Sequence, residues 1–137
     1  MATAKRRRMG EAGGRILFID DNQDTCEMMS YLLSMEGYEV VSASSVTEGL
    51  RLAKVETFDL ILLDWYFPDG TGIEMCQMIR TFDQEIPIFF YTGVAYESEI
   101  KKALKAGAQG CFVKPVDVNN LMETIFRHSS SKDAPAD

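Results

Sequence analysis

Five polar residues stand at the ends of apolar runs, and their types define the chemistry open to this chain. Arg15-Ile16-Leu17-Phe18-Ile19 ends in Asp20-Asp21, Leu60-Ile61-Leu62-Leu63 ends in Asp64, Pro87-Ile88-Phe89-Phe90-Tyr91 ends in Thr92, and Gly110-Cys111-Phe112-Val113 ends in Lys114. Brought together, three carboxylates repel one another unless a cation lies among them, and oxygen ligands without His or Cys favour Mg²⁺. A hydrated ion held by Asp20, Asp21, Asp64 and a backbone carbonyl near Tyr66 leaves coordination positions for a phosphoryl oxygen. Lys114 adds a point charge and Thr92 a hydroxyl donor for the same group, with Gly93 leaving room beside them.

Only a parallel sheet places such residues side by side. The runs lack a polar face, which marks strands buried on both sides. Between them lie helix signals. Asn22 is an N-cap with Asp24 in the first turn, and the helix is expected to run to about Glu36, with Thr25, Met28, Met29 and Leu32 inward, before Gly37 stops it. Glu39 to Ala43 reads as the second strand, and Val46 to Val55 as a helix turning Val46, Leu50 and Ala53 inward. Pro68, Gly70 and Gly72 fix a loop after Asp64. A third helix, about Gly72 to Thr81, carries Ile73, Cys76 and Ile79 on one side. A fourth, near Glu97 to Ala106, pairs Glu97 with Lys101 and closes on Gly107, and a fifth, about Asp117 to Arg127, buries Val118, Leu121, Met122 and Ile125. The result is an α/β fold, a doubly wound (βα)5 sandwich with right-handed crossovers. In the flavodoxin-like order 2-1-3-4-5 of its five-stranded parallel sheet, the first and third strands are neighbours at the switch point, so Asp20, Asp21 and Asp64 converge at the carboxyl edge.

With 137 residues there is room for one domain. Cys26, Cys76 and Cys111 are odd in number and far apart, without a C-x-x-C and with only His128 as a nitrogen ligand; they read as small apolar fillers in a reducing cytoplasm rather than a zinc site or disulfide framework. No apolar run approaches membrane-spanning length, and no signal peptide is evident. The net charge is −7, and setting aside Lys5, Arg6, Arg7 and Arg8 leaves ten basic against 21 acidic residues, so the folded body is expected to repel nucleic acid. Residues 1–13 are read as a disordered basic arm, 14–128 as the domain and 129–137 as a flexible tail or linker.

The constellation, in its order and spacing, resembles the receiver domain of two-component response regulators over roughly residues 14 to 128. Asp20-Asp21 match the acidic pair, Asp64 with Pro68 and Gly72 the Asp-x-x-x-Pro-x-x-x-Gly pattern, Thr92 the switch hydroxyl and Lys114-Pro115 the lysine and its proline. The resemblance implies a CheY-like phosphoryl-accepting domain, not an enzyme acting on other molecules. In it Asp64 takes phosphate from a histidine kinase or phosphotransfer histidine in a Mg²⁺-dependent reaction and thereby switches binding to a downstream protein. It also implies a cis Lys114-Pro115 bond, a cytoplasmic setting and a monomer or phosphorylation-dependent dimer, either free-standing or cut from a larger protein. One position departs from the pattern. Three residues before the lysine the family usually has Tyr or Phe, where this chain has Cys111; Phe112 has the wrong strand parity to replace it. Tyr66 and Val94, two residues past Asp64 and Thr92, are expected to flank the phosphoryl group and slow its hydrolysis.

Rival chemistries fit less well. An aspartate-nucleophile phosphohydrolase wants a second Asp two residues after the first, where this chain has Tyr66. A flavin-mononucleotide binder of the same fold needs a neutral loop after the first strand, where Asp20-Asp21 would repel the phosphate. A pseudo-receiver that only binds a partner has no need of all five site residues, and a Ser/His/Asp hydrolase has only His128 to draw on.

Overall fold

Strands β1 (Arg15–Ile19), β2 (Glu39–Ala43), β3 (Leu60–Leu63), β6 (Ile88–Thr92) and β7 (Gly110–Val113) form one parallel sheet in the order β2-β1-β3-β6-β7. Counting only these five, that is 2-1-3-4-5. A two-residue hairpin, β4 (Tyr66–Phe67) with β5 (Gly70–Thr71), follows β3. This computed structural model describes residues 14–93, 96–115 and 118–133, apart from the side chains of 118 and 129–133. The expected basic arm at 1–13, Val94, the expected burial of Val118 and the last four residues of the expected tail lie outside the described part.

The central strands explain themselves. Every residue of β3 and β6 is buried, as a strand covered on both faces must be. Helices α2 (Val46–Val55), α3 (Gly72–Arg80) and α4 (Glu97–Ala106) cover one face over a cluster that includes Leu17, Ile61, Leu63 and Phe90. On the other face α1 (Gln23–Met35) and α5 (Val118–Asp133) cover Ile16, Phe18, Leu62 and Phe89. Alternate residues of each strand therefore serve opposite clusters.

Helix boundaries follow their caps. Asn22 accepts from Thr25 N and starts α1, Ser45 accepts from Glu48 N and starts α2, and Thr71 with Glu74 forms a capping box at α3. Gly107, at φ 115°, closes α4, and Glu97 lies 3.8 Å from Lys101 as the spacing predicts. The inward faces differ in phase from the sequence reading. In α1 the buried residues are Cys26, Met29 and Leu33, while Met28 is exposed and Thr25 and Leu32 are only half-buried. The segment has apolar residues almost all round, so periodicity alone does not select the stripe. Similarly α2 buries Val46, Gly49 and Leu52, leaving Leu50 and Ala53 half-buried, and Met75 replaces Ile73 as the deepest first-turn residue of α3. The last helix runs to Asp133 rather than Arg127, because no Gly or Pro interrupts the chain before Pro135.

Candidate functional site

The five strand-end residues come together at the carboxyl edge of the sheet. Leu63 is in register with Ile19, and Asp64 N donates to Ile19 O at 2.9 Å, so Asp20 and Asp64 leave adjacent strands side by side. Asp20, Asp21 and Asp64 each offer a carboxylate oxygen, all within 4.8 Å of one another. Lys114 Nζ stands 3.1 Å from Asp20 Oδ2 and 3.4 Å from Asp64 Oδ2, bridging the two acids. Thr92 joins through the backbone: it ends β6, is buried, and its carbonyl accepts from Lys114 N at 2.7 Å. The Lys114-Pro115 bond is cis.

Each acid is held differently. Asp20 is almost wholly buried, its Oδ1 accepts from Asn22 N at 2.8 Å and its carbonyl accepts from Cys26 Sγ at 3.2 Å. Asp21 is exposed and Asp64 is half-buried. Asp64 Oδ1 accepts from Trp65 N at 2.7 Å, which leaves Oδ2 toward Lys114. Burial pushes the Asp64 carboxyl above its ordinary range, against the downward pull of Trp65 N–H and Lys114. Burial also works to discharge Lys114, but its contacts with Asp20 and Asp64 outweigh that and hold its pKa above the ordinary value. The ammonium further lies 5.0 Å from the Tyr91 ring centroid, on the face that attracts a cation.

The loop after Asp64 is built closely. Gly72 N donates to Trp65 O at 2.7 Å, and a Cβ at Gly72 would stand 2.3 Å from Asp64 O and 2.6 Å from Leu63 Cδ1, so only glycine fits there. The Pro68-Asp69 turn of the hairpin sends Asp69 to the start of α2, where its carboxylate accepts from Val46 N, Thr47 N and Thr47 Oγ1 at 2.9 to 3.0 Å. The sequence marks this turn but not the tether. Cys26, Trp65 N–H, Tyr91 and Asp69 were likewise not legible as site residues, because their contributions are backbone contacts or long-range packing.

The donor set suits a hard divalent cation: three carboxylates converge, and no His takes part. Tyr66 opens β4 two residues past Asp64, 65% exposed, with its ring 6.4 Å from that of Trp65. Cys111 lies opposite Phe90 and packs against the α2–α3–α4 cluster, whereas Phe112 is on the other face, 5.4 Å from Phe89 between ring centroids. The parity reading thus holds.

A sequence profile of the response regulator receiver domain matches residues 16–126. The chain belongs to the response regulator receiver domain family. It is 32% identical over 128 residues to the response regulator protein PilR of Pseudomonas aeruginosa, a match covering 90% of this chain and 29% of that protein. It is 34% identical over 118 residues to the alkaline phosphatase synthesis transcriptional regulatory protein PhoP of Bacillus subtilis, covering 84% of this chain and 49% of the relative. The receiver chain therefore spans less than half the length of these relatives. Among solved structures, a CheY-like receiver domain from Methanospirillum hungatei superposes with a TM-score of 0.84 at 30% identity, covering 89% of this chain and 98% of the other. Among the described residues, no helix of this receiver is long and apolar enough to cross a membrane.

Proposed function

We propose that Asp64 is the phosphorylated residue of this receiver and that the reaction requires Mg²⁺. The observation that carries the reading is a single one: Asp64 Oδ2 stands 3.4 Å from Lys114 Nζ, and Asp20, Asp21 and Asp64 each offer a carboxylate oxygen within 4.8 Å of the others. Asp20, Asp21 and Asp64, with the Tyr66 carbonyl, would hold the ion. When bound, Mg²⁺ supplies charge neutralisation between the acids and a phosphoryl group. The chain's own residues do the rest. An Asp64 carboxylate oxygen attacks phosphorus, the new O–P bond forms as the bond to the donor imidazole nitrogen breaks, and the electron pair leaves with that nitrogen. Trp65 N–H fixes the other carboxylate oxygen, which orients the nucleophile. Lys114, already charged and placed between the acids, exchanges its Asp64 contact for the incoming phosphoryl oxygen. Thr92 supplies a hydroxyl to the phosphorylated state and so reports it.

In this reading the donor is a histidine kinase or phosphotransfer protein, the product is an altered affinity for a downstream protein, and the chain turns over no other substrate. The setting is the cytoplasm, where the free thiols of Cys26, Cys76 and Cys111 stay reduced. The only tryptophan, Trp65, is buried beside the acceptor, its ring 4.9 Å from that of Phe90, which makes its emission a direct reporter. Acetyl phosphate or beryllofluoride with Mg²⁺ is expected to change Trp65 emission, with acetyl phosphate adding one phosphoryl mass. EDTA and Asp64→Asn are each expected to abolish both effects. Equal modification of the Asn variant, or indifference to EDTA, would remove the proposal.

A further inference from the structure

Helices α2 and α3 pack side by side on one face of the sheet, and between them lies an open cavity of about 360 Å³. Its apolar lining is Val46, Leu50, Met78 and Phe82, and its charged rim is Arg51 and Lys54. Met78 is 52% and Phe82 39% exposed, a large apolar area to leave in water at the end of α3 and in the turn that follows it. A second cavity of about 220 Å³ adjoins it, sharing Lys54 and Phe82 and reaching inward to Ile61 and Ile86. The two make one groove along α2, a helix of 10 residues or about three turns.

The charge on the larger cavity is opposite to that of the chain, while Glu56 and Asp83 line the smaller one, Glu56 paired with Arg15 at 3.0 Å and Asp83 Oδ1 accepting from Glu85 N and Ile86 N. Acidic residues outnumber basic ones by 21 to 14, yet both charged groups lining the larger cavity are basic. Arg51 is ion-paired with Glu48, at 2.8 Å on the same exposed helix face, a weak kind of pair that an incoming carboxylate readily replaces. Lys54 Nζ lies 5.8 Å from the Phe82 ring centroid and has no carboxylate partner among the described residues.

We propose that this groove docks an acidic amphipathic helix of a partner protein. Apolar side chains at i, i+3 or i+4 and i+7 enter between Leu50 and Phe82, and flanking carboxylates meet Arg51 and Lys54. A second copy of the chain fits poorly, because two-fold docking of this face sets both basic rims against each other. Nucleic acid and anionic membrane face a concave apolar surface on a chain of net charge −7. The docking does not depend on phosphorylation of Asp64, and Asp64→Asn is expected to leave it intact.

The test is a selection of displayed helical peptides of about three to four turns on the full chain and on its Met78→Ser variant. Met78 is half-exposed, so the variant is expected to fold, which its circular dichroism and melting curve establish. A synthesised winner is then measured by fluorescence anisotropy. The expected result is enrichment on the wild type alone, of sequences with the stated apolar spacing and Asp or Glu flanks. Affinity is expected to fall about tenfold or more in Met78→Ser and in Arg51→Glu/Lys54→Glu, the latter recovering binding when the peptide's acids are changed to Lys. Amide shifts are expected in α2 and α3. Equal enrichment on both proteins, a basic consensus, shifts centred on another face, or a Met78-dependent dimer in sedimentation would each overturn the proposal.

Discussion

Asp64 is held where burial disfavours its charge even with the Lys114 ammonium 3.4 Å away. Burial raises its pKa above the unfolded value, so folding takes up a proton there. The stability this contributes is fully present below the ordinary carboxylate pKa and is lost as pH rises through the raised folded value. In EDTA, wild type is therefore expected to lose melting temperature relative to Asp64→Asn as pH goes from about 4 to 7, ending a few degrees below it; Mg²⁺ is expected to raise the wild type and do much less for the variant. Paired melts in the two media check both signs, and no gain for the variant in EDTA would show that the carboxylate is not strained. Lys114 is the counterpart. Removing its side chain strands the buried Asp20 carboxylate, so Lys114→Ala is expected to cost about 1 to 3 kcal/mol in urea denaturation, less than a fully buried pair because the lysine is partly exposed. The same variant is expected to accept phosphate slowly, while Thr92→Ala is expected to accept it fully and transmit it poorly to a partner. Mass spectrometry of the two variants after acetyl phosphate separates these roles. At this scale the sequence was legible because each acid, the threonine and the lysine end an apolar run; the Trp65 and Asn22 amides that fix Asp64 and Asp20 carry no sequence mark, since every residue has such a group.

Between site and scaffold stands the short hairpin that follows β3. Its Asp69 satisfies two of the first amides of α2, so the acceptor loop and that helix are tied by three hydrogen bonds that one carboxylate accepts. Asp69→Ala is expected to lower stability by about 1 kcal/mol, as for loss of a helix cap, and to speed amide exchange at Val46 and Thr47 ahead of the rest of α2. Exchange unchanged at those two amides would mean that Ser45 alone caps the helix. Strand order, caps and helix positions were readable because buried runs, Asn22, Ser45, Thr71 and Gly107 are local signals. What was not readable is set at longer range. The stripe of α1 that faces the sheet is chosen by contact, with Cys26 Sγ donating to Asp20 O, and a two-residue strand such as β4 is too short to show a period.

Across the whole molecule the helices are unequally held, and that decides where a signal can travel. The C-terminal end of α4 is anchored: Arg80 Nε and Nη2 donate to Gly107 O at 3.0 and 2.7 Å, and Nη1 donates to Asp83 O at 3.0 Å. Among the described residues its N-terminal end has no side-chain cap, and those it buries are the small Ala103 and Ala106. Little apolar burial and uncapped amides mark the low-stability end of a fold's range. On β7, Cys111 offers no ring to swing inward, and Phe112 is committed to the opposite cluster against Phe89. A change at Thr92 therefore has an easier course into the start of α4, pivoting about Gly107, than through β7. Beryllofluoride with Mg²⁺ is expected to alter amide exchange most in the first turn of α4, by about tenfold or more, a change of a kcal/mol or two in local opening, with β7 nearly unchanged. Arg80→Ala, which frees the pivot, is expected to spread the change along the whole helix. Exchange differences confined to β7, or an α4 indifferent to beryllofluoride, would show that Cys111 carries the signal despite its size.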